Sequence, residues 1–154
     1  MKSSKTYVAI PPGYSIKEQL VERGLTQKEF AMRMELSEKH ISKLINGEVL
    51  LTTDVAVRLE MVLGIEAQFW LNLEAIYREK LLKIEEENNM EDDIKIASKF
   101  PYKEMSNLNW IPKTNKETEK VINLRKFFEV NRLGLLFANN SLNVLWRRIS
   151  ESEK

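Results

Sequence analysis

The stretch from Leu25 to Gly47 constrains this chain more than any other. Thr26 is placed to cap a helix, and Glu29, three residues on, completes a reciprocal capping box. Phe30, Ala31 and Met34 then recur at helical spacing and give one apolar face. Ser37 restarts the pattern as a second N-cap, with Ile41, Leu44 and Ile45 as the apolar face behind it. Gly47 ends that helix, as a residue suited to the left-handed conformation. Two helices of about eight residues are too short to stand alone, so both must share a core with neighbouring segments.

Burying those faces leaves Ser37, Glu38, Lys39, His40, Ser42, Lys43 and Asn46 outside. All are polar, and most can donate hydrogen bonds. A helix entering the major groove of DNA needs such a face, with donors for base edges and cations for phosphates. A merely solvated helical hairpin would show a polar face too.

Together with Pro11-Pro12-Gly13 and Ala67-Gln68-Phe69-Trp70-Leu71-Asn72-Leu73, these residues carry a resemblance over about half the chain. The run from Pro11 to about Leu82 resembles the DNA-binding domain of phage-repressor-like (XRE-type) helix-turn-helix regulators, most of all the HigA-type and plasmid-maintenance antitoxins. The resemblance implies a sequence-specific double-stranded DNA-binding transcriptional regulator, acting as a repressor. Its alternative is a HigA-like antitoxin that neutralises a cognate toxin protein and represses its own operon, although antitoxins of that type are commonly shorter. Base contacts are expected from Ser37, Lys39, His40 and Lys43. Gln27, Ser42 and Asn46 are expected to fix the register on the backbone, Gln27 where a helix N-terminus and a side chain can hold a phosphate together. Useful specificity further implies a homodimer on a pseudo-palindromic operator, joined through the fifth helix or the C-terminal region. The family often has glycine in the turn, where this chain has Glu35; a left-handed non-glycine residue there costs about 1 kcal/mol.

The expected fold class is all-α: a five-helix domain at residues 11–82, preceded by an arm (1–10) and followed by a smaller helical region (90–150). In the arm, residues 6–10 can pair as a strand or lie on the surface. A first helix is expected from Ser15, as cap, to Arg23, with Ile16, Leu20 and Val21 inward and Gly24 as its stop. A fourth runs from Thr53 to Leu63, with Val55, Ala56, Leu59, Val62 and Leu63 inward and Arg58 and Glu60 outward. A fifth opens at Glu66 and continues through Phe69, Trp70, Leu73, Ile76, Tyr77, Leu81 and Ile84, about 20 residues. Phe69 and Trp70 read as core anchors. The acidic run from Glu85 to Asp93 reads as a solvated face or hinge and marks the domain boundary.

Beyond it, Ile94, Ile96, Ala97, Phe100 and Met105 suggest a short helix broken by Pro101, and Trp110 an aromatic anchor in a loop. Helix is expected from Thr118 to about Val130 and in shorter pieces over residues 133–138 and 142–149. Between residues 113 and 148, basic residues outnumber acidic ones 8 to 3, which reads first as a solvated surface. If this region sensed a ligand or recruited a peptidase, Trp110 and Trp146 would be exposed.

A net charge of +1 lends no global support to nucleic-acid binding, so any such function rests on a local patch. The absence of cysteine excludes disulfides and thiolate chemistry and fits a reducing compartment. No segment reaches the roughly 20 apolar residues of a membrane helix, so the expected location is cytoplasmic. Relatives of this subgroup can continue into a zinc peptidase marked by His-Glu-x-x-His. This chain has one histidine, so no such site can be built within it. The Phe100-Pro101, Trp110-Ile111 and Leu124-to-Phe128 stretches do resemble the linker before that peptidase, which fits equally a short form and part of a longer protein. There is no phosphate loop, and no cofactor, metal site or enzyme activity is expected.

Overall fold

The computed structural model describes residues 1–137; the expected helix over 142–149, and Trp146 with it, lie outside the described residues. The architecture is helical. Two two-residue strands, β1 (Lys2–Ser3) and β2 (Val8–Ala9), pair antiparallel with Lys2 opposite Ala9. Helices α1 (Gly13–Arg23), α2 (Gln27–Met34), α3 (Glu38–Ile45), α4 (Thr53–Leu63), α5 (Ala67–Ala97), α6 (Tyr102–Asn107) and α7 (Glu117–Phe128) follow, then a 3₁₀ turn at Leu133–Phe137. The chain divides into two compact units at Glu85/Glu86.

In the first unit, α1 to α4 and the start of α5 enclose one core. Ile16 and Leu20 come from α1, Phe30, Ala31 and Met34 from α2, and Ile41, Leu44 and Ile45 from α3. Val55, Ala56, Leu59 and Leu63 come from α4, and the fully buried Trp70 closes the core from α5. The Trp70 indole N–H donates to the Ile65 carbonyl at 3.2 Å, meeting the polar demand of a buried indole. Phe69 departs from the expected anchor role: it is 45% exposed and rests edge-on against Trp70. Adjacent helical residues point about 100° apart, and here Trp70 takes the core-facing position while Phe69 lies toward solvent. Ile76 is likewise exposed. In α1 the same geometry turns Val21 outward, 75% exposed, because Ile16 and Leu20 already define the inner face.

Helix α1 starts at Gly13, ahead of the expected cap Ser15. Pro12 stands at its N-cap in the right-handed region without a side-chain cap bond, since the proline ring presets a helical φ. This start brings α1 against the end of α3. A Cβ built on Gly13 would lie 1.8 Å from the Ile45 carbonyl oxygen and 2.4 Å from its Cα. No side chain fits there without moving one helix.

Helix α5 runs 31 residues where about 20 were expected, and the acidic run lies within it. No glycine or proline occurs between Gly64 and Pro101 to stop it. Pairs one turn apart support its exposed side. Lys83 bonds Glu79 at 2.8 Å, and that hydrogen bond and charge hold the Glu79 carboxyl below the ordinary carboxylate range. The arm hairpin is anchored on the early part of α5: Ala9 is fully buried with Tyr77 and Ile84, and Tyr7 packs beside Leu81.

The second unit has its own core, in which Ala97, Tyr102, Met105, Val121, Leu124, Phe128, Leu133 and Leu136 are buried. Ile94, Ile96 and Ala97 belong to the end of α5 and Met105 to α6, so Pro101 separates two helices and does not break one. Trp110 is half-buried and stacks parallel to Phe127. Asp93, expected on a solvated acidic surface, is buried here. Its Oδ2 accepts from Arg125 Nε at 2.7 Å and from the Leu133 amide at 3.0 Å. This pair ties α5, α7 and the 3₁₀ turn together.

Two predictions follow from these contacts. Gly13→Ala should destabilise the first unit by about 3 kcal/mol or more, as overpacking against backbone does. Gly24→Ala, left-handed at φ 64° but with open space around it, should cost only about 1 kcal/mol. Urea unfolding of the two variants checks the order. In the second unit, Asp93→Ala should cost about 3–5 kcal/mol by leaving the Arg125 charge unpaired, read as faster amide exchange in α7 than in α2.

Candidate nucleic-acid interface

Local sequence signals set the two short helices. The Thr26 hydroxyl accepts from the Glu29 amide at 3.1 Å, and the Glu29 carboxylate accepts from the Thr26 amide at 3.0 Å, completing the capping box. Ser37 caps α3 by accepting from the His40 amide at 3.1 Å. Between them Glu35 stands left-handed at φ 55°, the strained position expected of it.

Arg58 supports that turn from α4. Its guanidinium donates to the Met34 carbonyl at 2.8 Å and is held by Asp54 one turn away at 3.0 Å. Arg58 was expected to face outward; it lies half-buried beneath the turn, its long stem reaching the last carbonyls of α2. The Asp54–Arg58 spacing was legible as a helical pair, but the carbonyl it caps was not. On the other side of α3, Arg78 donates to the Val49 carbonyl at 3.1 Å and to the nearly buried Glu74 at 2.6 Å, fixing the loop after α3. Helix α3 is therefore held at both ends by arginines from later helices.

At about 100° per residue, Lys39, Ser42, Lys43 and Asn46 share one face of α3, opposite Ile41, Leu44 and Ile45. All four are exposed. Among the described residues, no hydrogen bond or ion pair engages their side chains. Polar side chains on α1, α4 and α5, by contrast, pair one turn apart, as in Gln19–Arg23, Asp54–Arg58 and Gln68–Asn72. Gln27 is exposed at the start of α2, and Ser37 keeps a hydroxyl proton to donate while its oxygen serves as cap.

His40 sits apart from that face. It is half-buried, and its Nε2 is shielded from solvent with no hydrogen-bond partner among the described residues. Spacing places it between Lys43 and Leu44, and the expectation that it lies outside with the other polar residues fails because neighbouring groups shield the ring. Glu38 and Glu48 flank the face as exposed carboxylates, so its positive charge is local and modest. Among the described residues no helix is long and apolar enough to cross a membrane, and no cluster of acidic or histidine side chains could hold a metal ion.

Two capped helices, a left-handed turn between them and an uncommitted polar face on the second define a helix-turn-helix DNA-binding domain. Residues 16–70 match the helix-turn-helix family. The chain is 40% identical over 63 residues to the HTH-type transcriptional regulator YddM of Escherichia coli, spanning 41% of this chain and 67% of that protein. It is 31% identical over 74 residues to virulence-associated protein I of Dichelobacter nodosus, 47% of this chain and 68% of that one. It is also 40% identical over 63 residues to antitoxin HigA-1 of Vibrio cholerae, 40% of this chain and 59% of the antitoxin. The chain belongs to the XRE-type helix-turn-helix family.

The strain in the turn yields a prediction. Glu35→Gly should raise stability by about 0.5–1 kcal/mol, because relief of a left-handed non-glycine residue exceeds the added freedom of the unfolded chain. Arg58→Met should lower it by about 1–3 kcal/mol by stripping the Met34 carbonyl of a charged donor. Thermal unfolding of the two variants should shift in opposite directions.

Proposed function

We propose that the chain is a sequence-specific regulator of transcription that binds double-stranded DNA as a repressor, with α3 seated in the major groove. The observation that carries this reading is the face of Lys39, Ser42, Lys43 and Asn46, exposed and uncommitted on a helix fixed at both ends. Lys39 and Lys43 are the principal base-edge donors, able to reach guanine O6 and N7. Ser37 joins them at the N-terminal end, where base contacts of such helices concentrate. Gln27, Ser42 and Asn46 bind backbone phosphates and set the register. His40, with Nε2 turned from solvent, contributes a base contact only if its ring rotates on binding.

One such domain has a small footprint, so the active species is a homodimer on half-sites about one helical turn apart. The exposed Phe69 and Ile76, seven residues apart on one face of α5, suit a surface between copies. The named antitoxin among the relatives favours a second reading, in which the protein also neutralises a toxin encoded beside it. Co-purification with the product of an adjacent small reading frame tests that reading.

The DNA-binding reading is tested by fluorescence anisotropy with DNA from upstream of the gene, against random duplex over a salt series. Lys39→Ala and Lys43→Ala should each weaken binding to the preferred duplex by about 10-fold or more, with less effect on random DNA. Equal binding of the two duplexes by the wild-type protein would overturn sequence-specific regulation.

A further inference from the structure

A cleft opens at the far end of α3. Gly13, Tyr14 and Lys17 of α1 line it with Ile45, Asn46 and, from the N-terminal arm, Met1. Its volume is about 160 Å³, some five waters at roughly 30 Å³ each, which leaves room for a tetrahedral oxyanion. The hairpin behind Met1 is pinned through the buried Ala9, and the Lys80 and Lys83 ammonium groups lie 5.3 and 5.7 Å from the Tyr7 ring centre, while Met1 itself is exposed. The floor is fixed by the closeness of Gly13 to the Ile45 backbone.

The chemistry of the cleft is one-sided. Lys17 brings an ammonium, Tyr14 a phenol on a half-exposed ring and Asn46 an amide, and no carboxylate lines it. Among the described residues, no hydrogen bond or ion pair occupies the side chains of Lys17 or Asn46. Glu18 and Glu48 are exposed neighbours in sequence but stand outside the lining. Asn46 belongs both to this cleft and to the exposed face of α3, so the two surfaces are continuous.

We propose that this cleft seats a backbone phosphate of the DNA duplex, with Lys17 and Asn46 as its ligands and the N-terminal hairpin as its wall. The inference rests on the DNA-binding reading above and extends it to α1 and the arm. Helix α3, Glu38–Ile45, is about 12 Å long at 1.5 Å per residue, comparable with the roughly 12 Å width of the major groove. With its N-terminal end at the base edges, its other end stands at the phosphate wall. Lys17 therefore adds affinity without sequence preference, as phosphate contacts do.

The test uses the full chain and a duplex enriched from a random pool by the wild-type protein, with an unselected duplex beside it. Lys17→Gln should lower affinity for both duplexes by a similar factor of about 5 and reduce the salt slope by about 0.9, the loss of one phosphate contact. Lys126→Gln on α7 removes the same charge and should leave the slope unchanged. Methylphosphonate substitution should identify one phosphate whose neutralisation weakens the wild-type protein but costs Lys17→Gln nothing more. Lys17 is exposed, so an unchanged melting temperature excludes misfolding as the cause. Wild-type affinity and slope in Lys17→Gln, with Lys43→Ala still impaired, would overturn the cleft proposal and leave the DNA-binding reading standing. Salt-independent or absent binding by the wild-type protein would overturn both.

Discussion

The contact between Gly13 and the backbone of Ile45 is the constraint on which the first unit depends. Backbone against backbone allows α1 to begin where α3 ends, with no side chain between them. That closeness lets Ile16 share a core with Ile41 and Leu44 and leaves the opposite face of α3 in solvent. A helix of eight residues has little stability of its own. Its orientation is therefore a property of what it packs on, and α1 is one of those supports.

The other supports are ionic and come from later in the chain. Arg58 holds the left-handed turn before α3, and Arg78 the loop after it. Both arginines donate to carbonyls without an intrahelical partner, one at the end of α2 and one in a loop, where an unmet acceptor is costly. Each is oriented by a carboxylate one helical turn away, Asp54 or Glu74. The second unit uses the same device more deeply: the buried Asp93 receives both Arg125 and the Leu133 amide. A buried pair of this kind adds little net stability, yet its removal leaves a charge stranded.

Much of the first unit was legible in the chain before its structure. Thr26 and Ser37 announced the starts of α2 and α3, and the burial of Phe30, Met34, Ile41 and Leu44 follows from a period of 3.6 residues. Where expectation and structure part, periodicity could not choose between adjacent apolar residues, as with Phe69 and Trp70 or Leu20 and Val21. The length of α5 was misread because the acidic run was taken to end the helix, although nothing in it breaks one. The site divides in the same way. Lys39, Ser42, Lys43 and Asn46 share a face by spacing alone, whereas the inward turn of the His40 ring depends on what surrounds it. The role of Arg58 could not be seen, because its partners lie 23 and 24 residues away.

The sequence by itself determined the local events: which residues cap, where each short helix begins, and which face of α3 is polar. These rest on interactions within three or four residues, which spacing alone specifies. Tertiary structure decided the posture of α3, the clamping of its two ends by Arg58 and Arg78, and the cleft where α1, α3 and the arm meet. Those features depend on distances between segments far apart in the chain, and such distances exist only once the core has closed.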